Sequence, residues 1–382
     1  MNGRKQRRHG DMRKLSENVF EMAKARVRHA IETADDFVVM FSGGKDSTAV
    51  LNVTLEVARE MKRGPVKVFF GDEEAISPDT VDYVRRVYNR PDVEMFWCCV
   101  PTKHRNACSR RLPWWYAWAP EDEDKWCRPL PPESMNHNHF PDVPRTAYND
   151  QLGYYFPAEK HGTISILFGR RTQESLIRYR MITAKRGFEA FIRADNTWKH
   201  IYRCDPIYDW KTEDVWIGPL EHGWDYNRTY DLFHRVGVPV VNQRVTPPFG
   251  EEPSANLWFW KKLYPDLWDK MQSRVPGADC AARYSNSALY AKRDRSCVMP
   301  REGETWRDYI RGLIMQWPNK ERAYISDNIR RLLKYHSDTR PGVPIPDIEP
   351  DPKTMISWQR LAMIAFRGML KGRTLSQYFS QK

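Results

Sequence analysis

The fifteen residues from Phe37 to Leu51 constrain the fold of this chain more than any other part of its sequence. Five apolar residues typical of a buried strand run directly into Ser42 and two adjacent glycines, and a helix-forming stretch follows. Glycine lets the backbone turn sharply and bring its N–H groups close to an anion. The N-terminus of the following helix directs further N–H groups and its positive dipole end to the same place. The run therefore predicts a strand, a phosphate-binding loop and a helix.

The polar residues of this loop suit a bound nucleotide. Gly43 and Gly44 allow the backbone to approach the phosphates, and Ser42 and Ser47 add hydroxyl groups. Asp46 can cap the helix or hold a magnesium ion. We therefore take all five residues as candidate nucleotide ligands; the alternative is a glycine-rich turn between a strand and a helix that binds nothing.

Two common phosphate-binding loops are excluded by counting. The Walker pattern would require glycine where Val39 stands and serine or threonine where Asp46 stands. The dinucleotide pattern fails because the two glycines are adjacent and no third one follows. The run instead resembles the Ser-Gly-Gly-x-Asp-Ser signature of the PP-loop ATP pyrophosphatase superfamily. That resemblance implies cleavage of ATP between the α and β phosphates, with the loop holding pyrophosphate.

A second motif follows a predicted strand at residues 163–168. It begins with Gly169, Arg170 and Arg171 and continues to Glu174 and Arg178. In an open α/β sheet, ligands bind at the carboxyl ends of the strands. A guanidinium group pairs with a phosphate or sulfate through two hydrogen bonds, and a nearby carboxylate can orient it.

This second motif matches the Gly-x-Arg-x-x-Glu-Ser-x-x-Arg segment of the phosphoadenosine phosphosulfate reductase family, a branch of the PP-loop superfamily. Residues 206–216 resemble that family's Pro-x-x-x-Trp-x-x-x-Asp-Val-Trp stretch, and a Tyr-Asn…Tyr-Asp run follows at residues 226–231. The three motifs stand in the family order. The resemblance implies nucleotide binding by Gly169, Arg171, Glu174 and Arg178. Later blocks, near residues 274–284 and 357–362, are similar to a long subgroup of this family from bacteria and phages.

An acidic cluster, Asp72, Glu73 and Glu74, follows the predicted strand at residues 66–70. The family resemblance implies that Asp72 and Glu73 lie beside the ribose of the nucleotide or a metal ion. The alternative is a solvated turn that ends the strand.

The chain departs from working reductases of the family in two places. Those enzymes carry a cysteine near the C-terminus in a Glu-Cys-Gly-type motif, whereas the last cysteine here is Cys297, which has Arg293 and Arg295 nearby. Basic neighbours can lower the pKa of a thiol, although an incidental buried cysteine is the alternative. The first loop also has the form found in ATP-cleaving relatives. Both departures favour ATP chemistry over reduction.

The alternation of strands and helices predicts the fold class. Apolar runs at residues 37–41, 66–70, 93–100 and 163–168 alternate with helical patterns, which favours an α/β fold with an open, mostly parallel sheet and helices on both faces. The resemblance implies an adenine nucleotide alpha hydrolase-like fold. We predict the following organisation: a basic arm at 1–14, a nucleotide-binding domain at 15–217 with an insertion at 101–160, and a mainly helical region at 218–382 with a proline-rich linker at 340–352.

The charge of the chain favours polyanionic partners. The net charge is +12, and part of it lies in the arm at residues 1–14. Basic positions in the C-terminal helices add to it: Lys320, Arg322, Arg330, Arg331 and Lys334. These positions are consistent with a nucleic-acid partner or with a solvated surface. No apolar run reaches membrane-spanning length and the N-terminus has no secretory pattern, so we expect a cytoplasmic protein with no membrane partner.

The cysteines do not have the spacing of a metal site. Cys98, Cys99, Cys108 and Cys127 lie in one part of the chain, with His137 and His139 nearby. No pair has the C-x-x-C arrangement that iron–sulfur and zinc sites commonly use. The spacing therefore argues against both cofactors.

We predict an enzyme that binds ATP–Mg²⁺ and transfers AMP to an acceptor with release of pyrophosphate. Lys45, Asp46 and Arg171 are the predicted catalytic residues, with Asp46 as the magnesium ligand and the other two as partners of the developing negative charge. One alternative is a reductase or sulfotransferase-type enzyme acting on a sulfonucleotide. Another is a nucleotide-sensing or DNA-associated regulatory module without turnover. The sequence does not identify the acceptor or the oligomeric state.

Overall fold

A computed structural model describes most of the chain, namely residues 18–109, 112, 114–183, 191–240, 243–245, 248–249, 257–284 and 298–367. The predicted basic arm, Cys297 and the side chain of Lys320 lie outside these residues. The chain divides into two compact units. The first comprises Met1–Cys108 and Trp114–Ala282, and the second comprises Ser109–Pro113 and Arg283–Lys382.

Nine strands are present in the described residues: Asp36–Phe41 (β1), Val66–Gly71 (β2), Val93–Cys99 (β3), Thr102–Arg105 (β4), Trp114–Ala117 (β5), Met135–Asn136 (β6), Ile164–Phe168 (β7), Ile192–Ala194 (β8) and Ile201–Cys204 (β9). The α-helices there are Val19–Glu32 (α1), Lys45–Glu60 (α2), Pro78–Tyr88 (α3), Tyr148–Tyr155 (α4), Ala158–His161 (α5), Leu176–Thr183 (α6), Thr212–Glu221 (α7), Thr229–Arg235 (α8), Leu257–Leu263 (α9), Pro265–Arg274 (α10), Ala278–Tyr284 (α11), Trp306–Met315 (α12), Asn319–Thr339 (α13) and Trp358–Arg367 (α14).

Seven of these strands form one sheet in the first unit, in the order β6-β3-β2-β1-β7-β9-β8. Every neighbouring pair is parallel except β8 and β9, which are antiparallel. The strand that precedes the phosphate loop lies at the centre, between β2 and β7. The carboxyl ends of β1, β2 and β7 therefore meet at one edge, where open α/β sheets bind ligands.

Both faces of this sheet are covered by helices. Successive strand residues point to opposite faces, so Val39 packs in one core with α1, α2 and α3, whereas Val38 packs in another with Leu152 and Phe156 at α4. Burial on both faces explains why the central strands are almost continuously apolar. The predicted α/β fold with a mostly parallel sheet and helices on both faces is confirmed.

The insertion after β3 is folded against the sheet. Its strands β4 and β5 form an antiparallel hairpin, and β6 extends the main sheet at its edge. Trp115 and Trp118 are buried in the larger core, as is Trp210 after the sheet. These tryptophans contribute apolar packing, which fixes the position of the insertion relative to the strand ends.

The second unit is helical in its described part. Helices α12, α13 and α14 enclose their own apolar core, which includes Ile310, Leu332 and Leu361. The indole N–H of Trp317 donates to the carbonyl of Ala365 at 2.9 Å and links the end of α12 to α14. The predicted mainly helical C-terminal region is thus present. No helix in the described part of the whole chain is both long and apolar enough to cross a membrane.

Candidate nucleotide-binding site

The predicted phosphate loop connects the central strand to its helix. Strand β1 ends at Phe41 and α2 begins at Lys45, with Gly43 at a φ of 69°, a conformation that favours glycine. Gly44 is the N-cap of α2 and provides no side chain to cap it. Ser42 and Ser47 stabilise the turn, because the backbone N–H of Ser42 donates to the Ser47 hydroxyl at 3.1 Å. The positive end of α2 therefore lies at this turn, a geometry that attracts anions.

Gly169 brings the second motif against the first. A Cβ atom at this position would lie 2.6 Å from the carbonyl carbon of Asp46 and 2.7 Å from the backbone nitrogen of Ser47. These distances are shorter than van der Waals contact, and backbone atoms cannot rotate away as a side chain can. The absence of a side chain is thus required for the end of β7 to touch the start of α2.

Asp46 and Arg171 form an ion pair behind the loop. The Nε of Arg171 donates to Oδ1 of Asp46 at 2.5 Å, and the Lys45 ammonium lies 3.4 Å from Oδ2. Only 3% of the Arg171 side chain is exposed, and its Nη1 also donates to the Trp210 carbonyl at 3.4 Å. The guanidinium therefore links α2 to the segment that precedes α7, and the structure brings the three predicted catalytic residues together.

The surroundings of Asp46 do not match a magnesium site. Its two carboxylate oxygens already lie near the cations of Arg171 and Lys45. In the part of the chain that the structure describes, no group of three histidine, cysteine, aspartate or glutamate residues is placed to hold a metal ion. A divalent cation at Asp46 would meet two positive charges at close range, which is unfavourable. We therefore treat magnesium only as a component of the nucleotide substrate and assign it no protein ligand.

A cavity of about 290 Å³ opens over the loop. Nine of the predicted site residues line it: Ser42, Gly44, Lys45, Asp46, Ser47, Glu73, Gly169, Glu174 and Arg178. Gly43, Asp72 and Arg171 are outside the lining and support it from behind. Phe69, Phe70 and Phe168 add apolar surface. The combination of an apolar wall with a few charged groups is typical of small-molecule sites.

The cavity wall also contains polar residues outside the predicted set of site residues: Arg170, Arg244, Tyr148 and Tyr230. Arg170 is held by Asp205, to which its Nε donates at 2.6 Å, and it lies 4.0 Å from the centre of the Phe168 ring. Its Nη2 atom is buried and makes no hydrogen bond within the described protein. Burial lowers the pKa of Arg170 to about 10, so the side chain remains charged at neutral pH. The repeated arginine in the second motif was the available signal.

The third motif holds the loop in place. The hydroxyl of Tyr230 accepts the backbone N–H of Lys45 at 2.9 Å. The side-chain amide of Asn227 donates to the carbonyl of Gly43 at 3.0 Å and to the Thr80 hydroxyl at 2.8 Å. Burial raises the pKa of Tyr230 above its usual value and keeps the phenol neutral. The Tyr-Asn…Tyr-Asp run therefore fixes the backbone that would contact a phosphate.

Two of the three acidic residues after β2 are committed to internal ion pairs. Asp72 is fully buried, accepts the Trp97 indole N–H at 2.8 Å and pairs with Arg128. Glu74 is also fully buried and accepts from Nε of Arg274 at 2.9 Å. These contacts tie the insertion and α10 to the end of β2. Asp72 thus supports the cavity without lining it.

Glu73 differs from its two neighbours because it lines the cavity and its side chain is 28% exposed. His104 lies beside it, with 3.6 Å between Oε1 of Glu73 and Nδ1 of the imidazole. Removal from water and the negative charge of Asp72 raise the pKa of Glu73 to about 8. Burial lowers the pKa of His104 to about 4, so the imidazole is neutral at physiological pH.

We expect the substitution Glu73→Gln to stabilise the protein at alkaline pH. A carboxyl whose pKa rises from 4.5 to about 8 on folding contributes stability that is complete below pH 4.5 and is lost as the pH rises to 8. Glutamine does not ionise, so the variant keeps that stability. Its Tm at pH 8 should exceed the wild-type Tm by about 1–2 °C, the shift expected for roughly 1 kcal/mol in a chain of this length. Thermal unfolding between pH 5 and pH 9 measures the difference.

The exposed Glu94→Gln substitution in β3 is the matched control for this experiment. It removes the same charge from a solvated position, where the pH dependence of Tm should match that of the wild type. A Glu73→Gln curve that runs parallel to the wild-type curve over the whole pH range would contradict the prediction.

The four cysteines whose spacing argued against a metal site form no disulfide. Cys98, Cys99, Cys108 and Cys127 are all buried and unbridged. Burial raises the pKa values of Cys98 and Cys99 far above the usual range and that of Cys204 to about 12. A buried thiol with a raised pKa is a poor nucleophile. No cysteine lines the cavity in the described part of the chain.

Two family models match the sequence. The model described as "Phosphoadenosine phosphosulfate reductase domain" matches residues 36–239, just over half of the chain. A model described as "Domain of unknown function (DUF3440)" matches residues 237–365. An Escherichia coli (strain K12) protein, "Uncharacterized protein YbdN", is 28% identical over 378 residues, which cover 94% of this chain and 90% of that protein.

Solved structures resemble the chain at low sequence identity. A phosphoadenylyl-sulfate reductase from Candida auris, in a phosphate complex, is 17% identical over 58% of this chain and 94% of its own, with a TM-score of 0.31. An FMN adenylyltransferase from Candida glabrata, in complex with FAD and inorganic pyrophosphate, is 14% identical over 57% of this chain and 64% of its own, with a TM-score of 0.35. The U34-tRNA thiolase NcsA from Methanococcus maripaludis, with its [4Fe-4S] cluster, is 12% identical over 70% of this chain and 79% of its own, with a TM-score of 0.31.

Proposed function

Since the chain belongs to the phosphoadenosine phosphosulfate reductase family of the PP-loop superfamily, we propose that it binds ATP–Mg²⁺ and transfers AMP to an acceptor with release of pyrophosphate. One observation carries the proposal: five of the six residues of the Ser-Gly-Gly-Lys-Asp-Ser loop line a cavity that Arg170 and Arg178 of the second motif also line. Such a loop binds phosphate through backbone N–H groups and the helix dipole.

The charges of the cavity are consistent with a triphosphate. Four basic side chains line it: Lys45, Arg170, Arg178 and Arg244. The acidic side chains there are Asp46, Glu73 and Glu174, of which Asp46 pairs with Arg171 and Glu174 with Arg178. Burial of the Lys45 ammonium lowers its pKa, with Asp46 acting in the opposite direction. A bound polyphosphate would supply negative charge to balance these basic side chains.

The proposed reaction is a displacement at the α phosphorus of ATP. A nucleophilic atom of the acceptor forms a bond to phosphorus, the bond to the oxygen that bridges to the β phosphate breaks, and pyrophosphate leaves with the electron pair. Negative charge accumulates on the departing pyrophosphate. Lys45 and the N-terminus of α2 stand where they would stabilise that charge without reorganising.

The buried thiols favour this reaction over reduction of a sulfonucleotide, whereas Cys280 is exposed. A reductase of this family needs a reactive cysteine, as its motif implies. Cys98, Cys127 and Cys204 are buried thiols whose pKa values burial raises. Cys297 lies outside the described residues, and ligand preference is therefore the direct way to separate the two chemistries.

The proposal is tested with purified full-length protein by two measurements. The first follows pyrophosphate and AMP formation from ATP–Mg²⁺ with water and with hydroxylamine as acceptors. The second compares the rise in Tm caused by ATP with that caused by adenosine 3′,5′-bisphosphate, because a ligand stabilises the native state that binds it. A larger rise with the bisphosphate would favour the sulfonucleotide reaction. Absence of both ATP binding and pyrophosphate formation would refute the proposal.

We expect Arg171→Lys to weaken ATP binding by at least about 10-fold, a loss of roughly 1.4 kcal/mol. Arg171 joins Asp46 to the Trp210 carbonyl through separate nitrogens, and a lysine ammonium cannot reproduce that planar arrangement. The loop would then lose its rigid connection to the segment before α7. Isothermal titration with ATP–Mg²⁺ measures the affinity.

Arg59→Lys is the matched control for this titration. Arg59 lies at the end of α2, is 73% exposed and stands 3.6 Å from Asp92. Exposed pairs of this kind contribute little, so ATP affinity should stay within about twofold of the wild type. Equal affinities for the two variants would remove Arg171 from the proposed site.

A further inference from the structure

Glu73 is an acidic group on the cavity wall that the binding of phosphates does not explain. When it is ionised, the Glu73 carboxylate would repel a triphosphate, and yet Glu73 lines the same cavity as Lys45. Its neighbours Asp72 and Glu74 form ion pairs with Arg128 and Arg274, which balance their negative charges inside the fold. Among the ion pairs of the described residues, Glu73 has only the neutral imidazole of His104 within 4 Å.

His104 is fixed behind Glu73 by the hairpin of the insertion. It lies in β4 opposite Trp115, and the two rings are 5.2 Å apart at an angle of 32°. Tyr148 packs edge-on against the imidazole at 6.1 Å. The Nε2 atom of His104 is buried and makes no hydrogen bond within the described protein. A buried polar atom without a partner costs free energy, and packing of the imidazole does not offset that cost by a hydrogen bond.

We propose that Glu73 is the catalytic base of the reaction and that His104 is its positioning residue. This inference rests on the proposed function. As the nucleophile of the acceptor attacks the α phosphorus, the proton on that nucleophile passes to the carboxylate of Glu73. The bond from phosphorus to the acceptor forms, the bond to the departing oxygen breaks, and pyrophosphate carries away the electron pair. Atoms and charges balance without any further reactant.

The electrostatic environment of Glu73 is consistent with this role. The titratable groups that face it are Asp72 beside it in the chain, His104 from β4 and Tyr148 from α4. His104 and Tyr148 are neutral at physiological pH, and Asp72 disfavours the ionised carboxyl. The resulting pKa of about 8 for Glu73 lies close to working pH, where proton acceptors are most effective. Activity should therefore rise with pH up to about 8.

The test measures pyrophosphate release from ATP–Mg²⁺ by the full-length protein, with water and with hydroxylamine as nucleophiles, between pH 5.5 and pH 9.5. Glu73→Gln should lower kcat by at least about 100-fold and leave the KM for ATP within about twofold, because loss of a catalytic base affects the chemical step. Its residual rate should not depend on pH near 8. Glu73→Asp should restore part of kcat, and the exposed control Glu94→Gln should behave as the wild type.

His104→Leu tests the positioning role. An apolar side chain stabilises the Glu73 carboxylate less than an imidazole does, so the midpoint of the pH profile should move upward. An unmoved midpoint would refute the role of His104.

Failure of the inference is distinguishable from failure of the proposed function. Wild-type protein that releases pyrophosphate, together with a Glu73→Gln variant that releases it at the same rate, would overturn the catalytic assignment alone. Wild-type protein that neither binds ATP nor forms pyrophosphate at any pH with either nucleophile would overturn both.

Discussion

Arg274→Met should lower the free energy of unfolding by about 3–5 kcal/mol, the usual cost of removing one partner from a buried ion pair. Arg274 is almost fully buried and donates to both oxygens of the fully buried Glu74 carboxylate, at 2.9 and 3.3 Å. Methionine fills similar space without charge, so Glu74 would retain a charge with no cation beside it. The same contact holds the insertion to α10, because Glu74 also accepts the backbone N–H groups of Trp118 and Cys127.

Urea unfolding of the full-length variant, followed by tryptophan fluorescence, measures this loss. Arg330→Met is the matched control, since Arg330 is 75% exposed and lies 3.6 Å from Asp327; it should change stability by less than about 0.5 kcal/mol. The double variant Arg274→Met with Glu74→Gln should recover part of the loss, because no buried charge remains unpaired. Equal losses for Arg274→Met and the control would show that the buried pair contributes nothing.

Gly169→Ala should weaken ATP binding by at least about 100-fold, which corresponds to roughly 2.7 kcal/mol. The new methyl group would lie 2.6 and 2.7 Å from backbone atoms of Asp46 and Ser47, at the first turn of α2. Neither backbone can move without shifting a central strand or the loop. The end of β7 would separate from the loop, and Arg170 would be displaced with it.

Titration with ATP–Mg²⁺ and circular dichroism of the same preparation separate local displacement from unfolding. Gly312→Ala in α12 is the control, because nothing lies within 4 Å of the position where its methyl group would stand. Alanine is favoured over glycine in a helix by about 0.5–1 kcal/mol, so this variant should be slightly more stable and bind ATP normally. Wild-type ATP affinity in Gly169→Ala would exclude a close contact between the two motifs at the nucleotide site.

The elements around the phosphate loop were predictable because their signals are local. The apolar run before Ser42 predicted β1 to within one residue of its ends, and the polar residues after the glycines predicted the helix that follows. The short strands β8 and β9 were missed, since three or four residues are too few for a period to be recognised. Strand β6 has only two residues and takes its conformation from pairing with β3.

The roles of neighbouring residues depend on the direction in which each side chain points. In the second motif the sequence favoured Arg171 as the phosphate ligand, whereas Arg170 lines the cavity and Arg171 lies behind the loop with Asp46. Consecutive side chains of an extended backbone point to opposite sides. The motif alone does not show which of the two arginines faces the cavity. The assignment of nucleotide-binding residues stays a prediction that the variants above will test.

The sequence by itself determined the strand, the glycine loop and the helix, the alternation that yields a mostly parallel sheet, and the family, because each depends on residues close together in the chain. The tertiary structure alone decided which of the three consecutive acidic residues lines the cavity. Arg128 and Arg274 reach Asp72 and Glu74 from positions 56 and 200 residues away. Such long-range pairing leaves Glu73 on the cavity wall beside His104, and no local pattern encodes it.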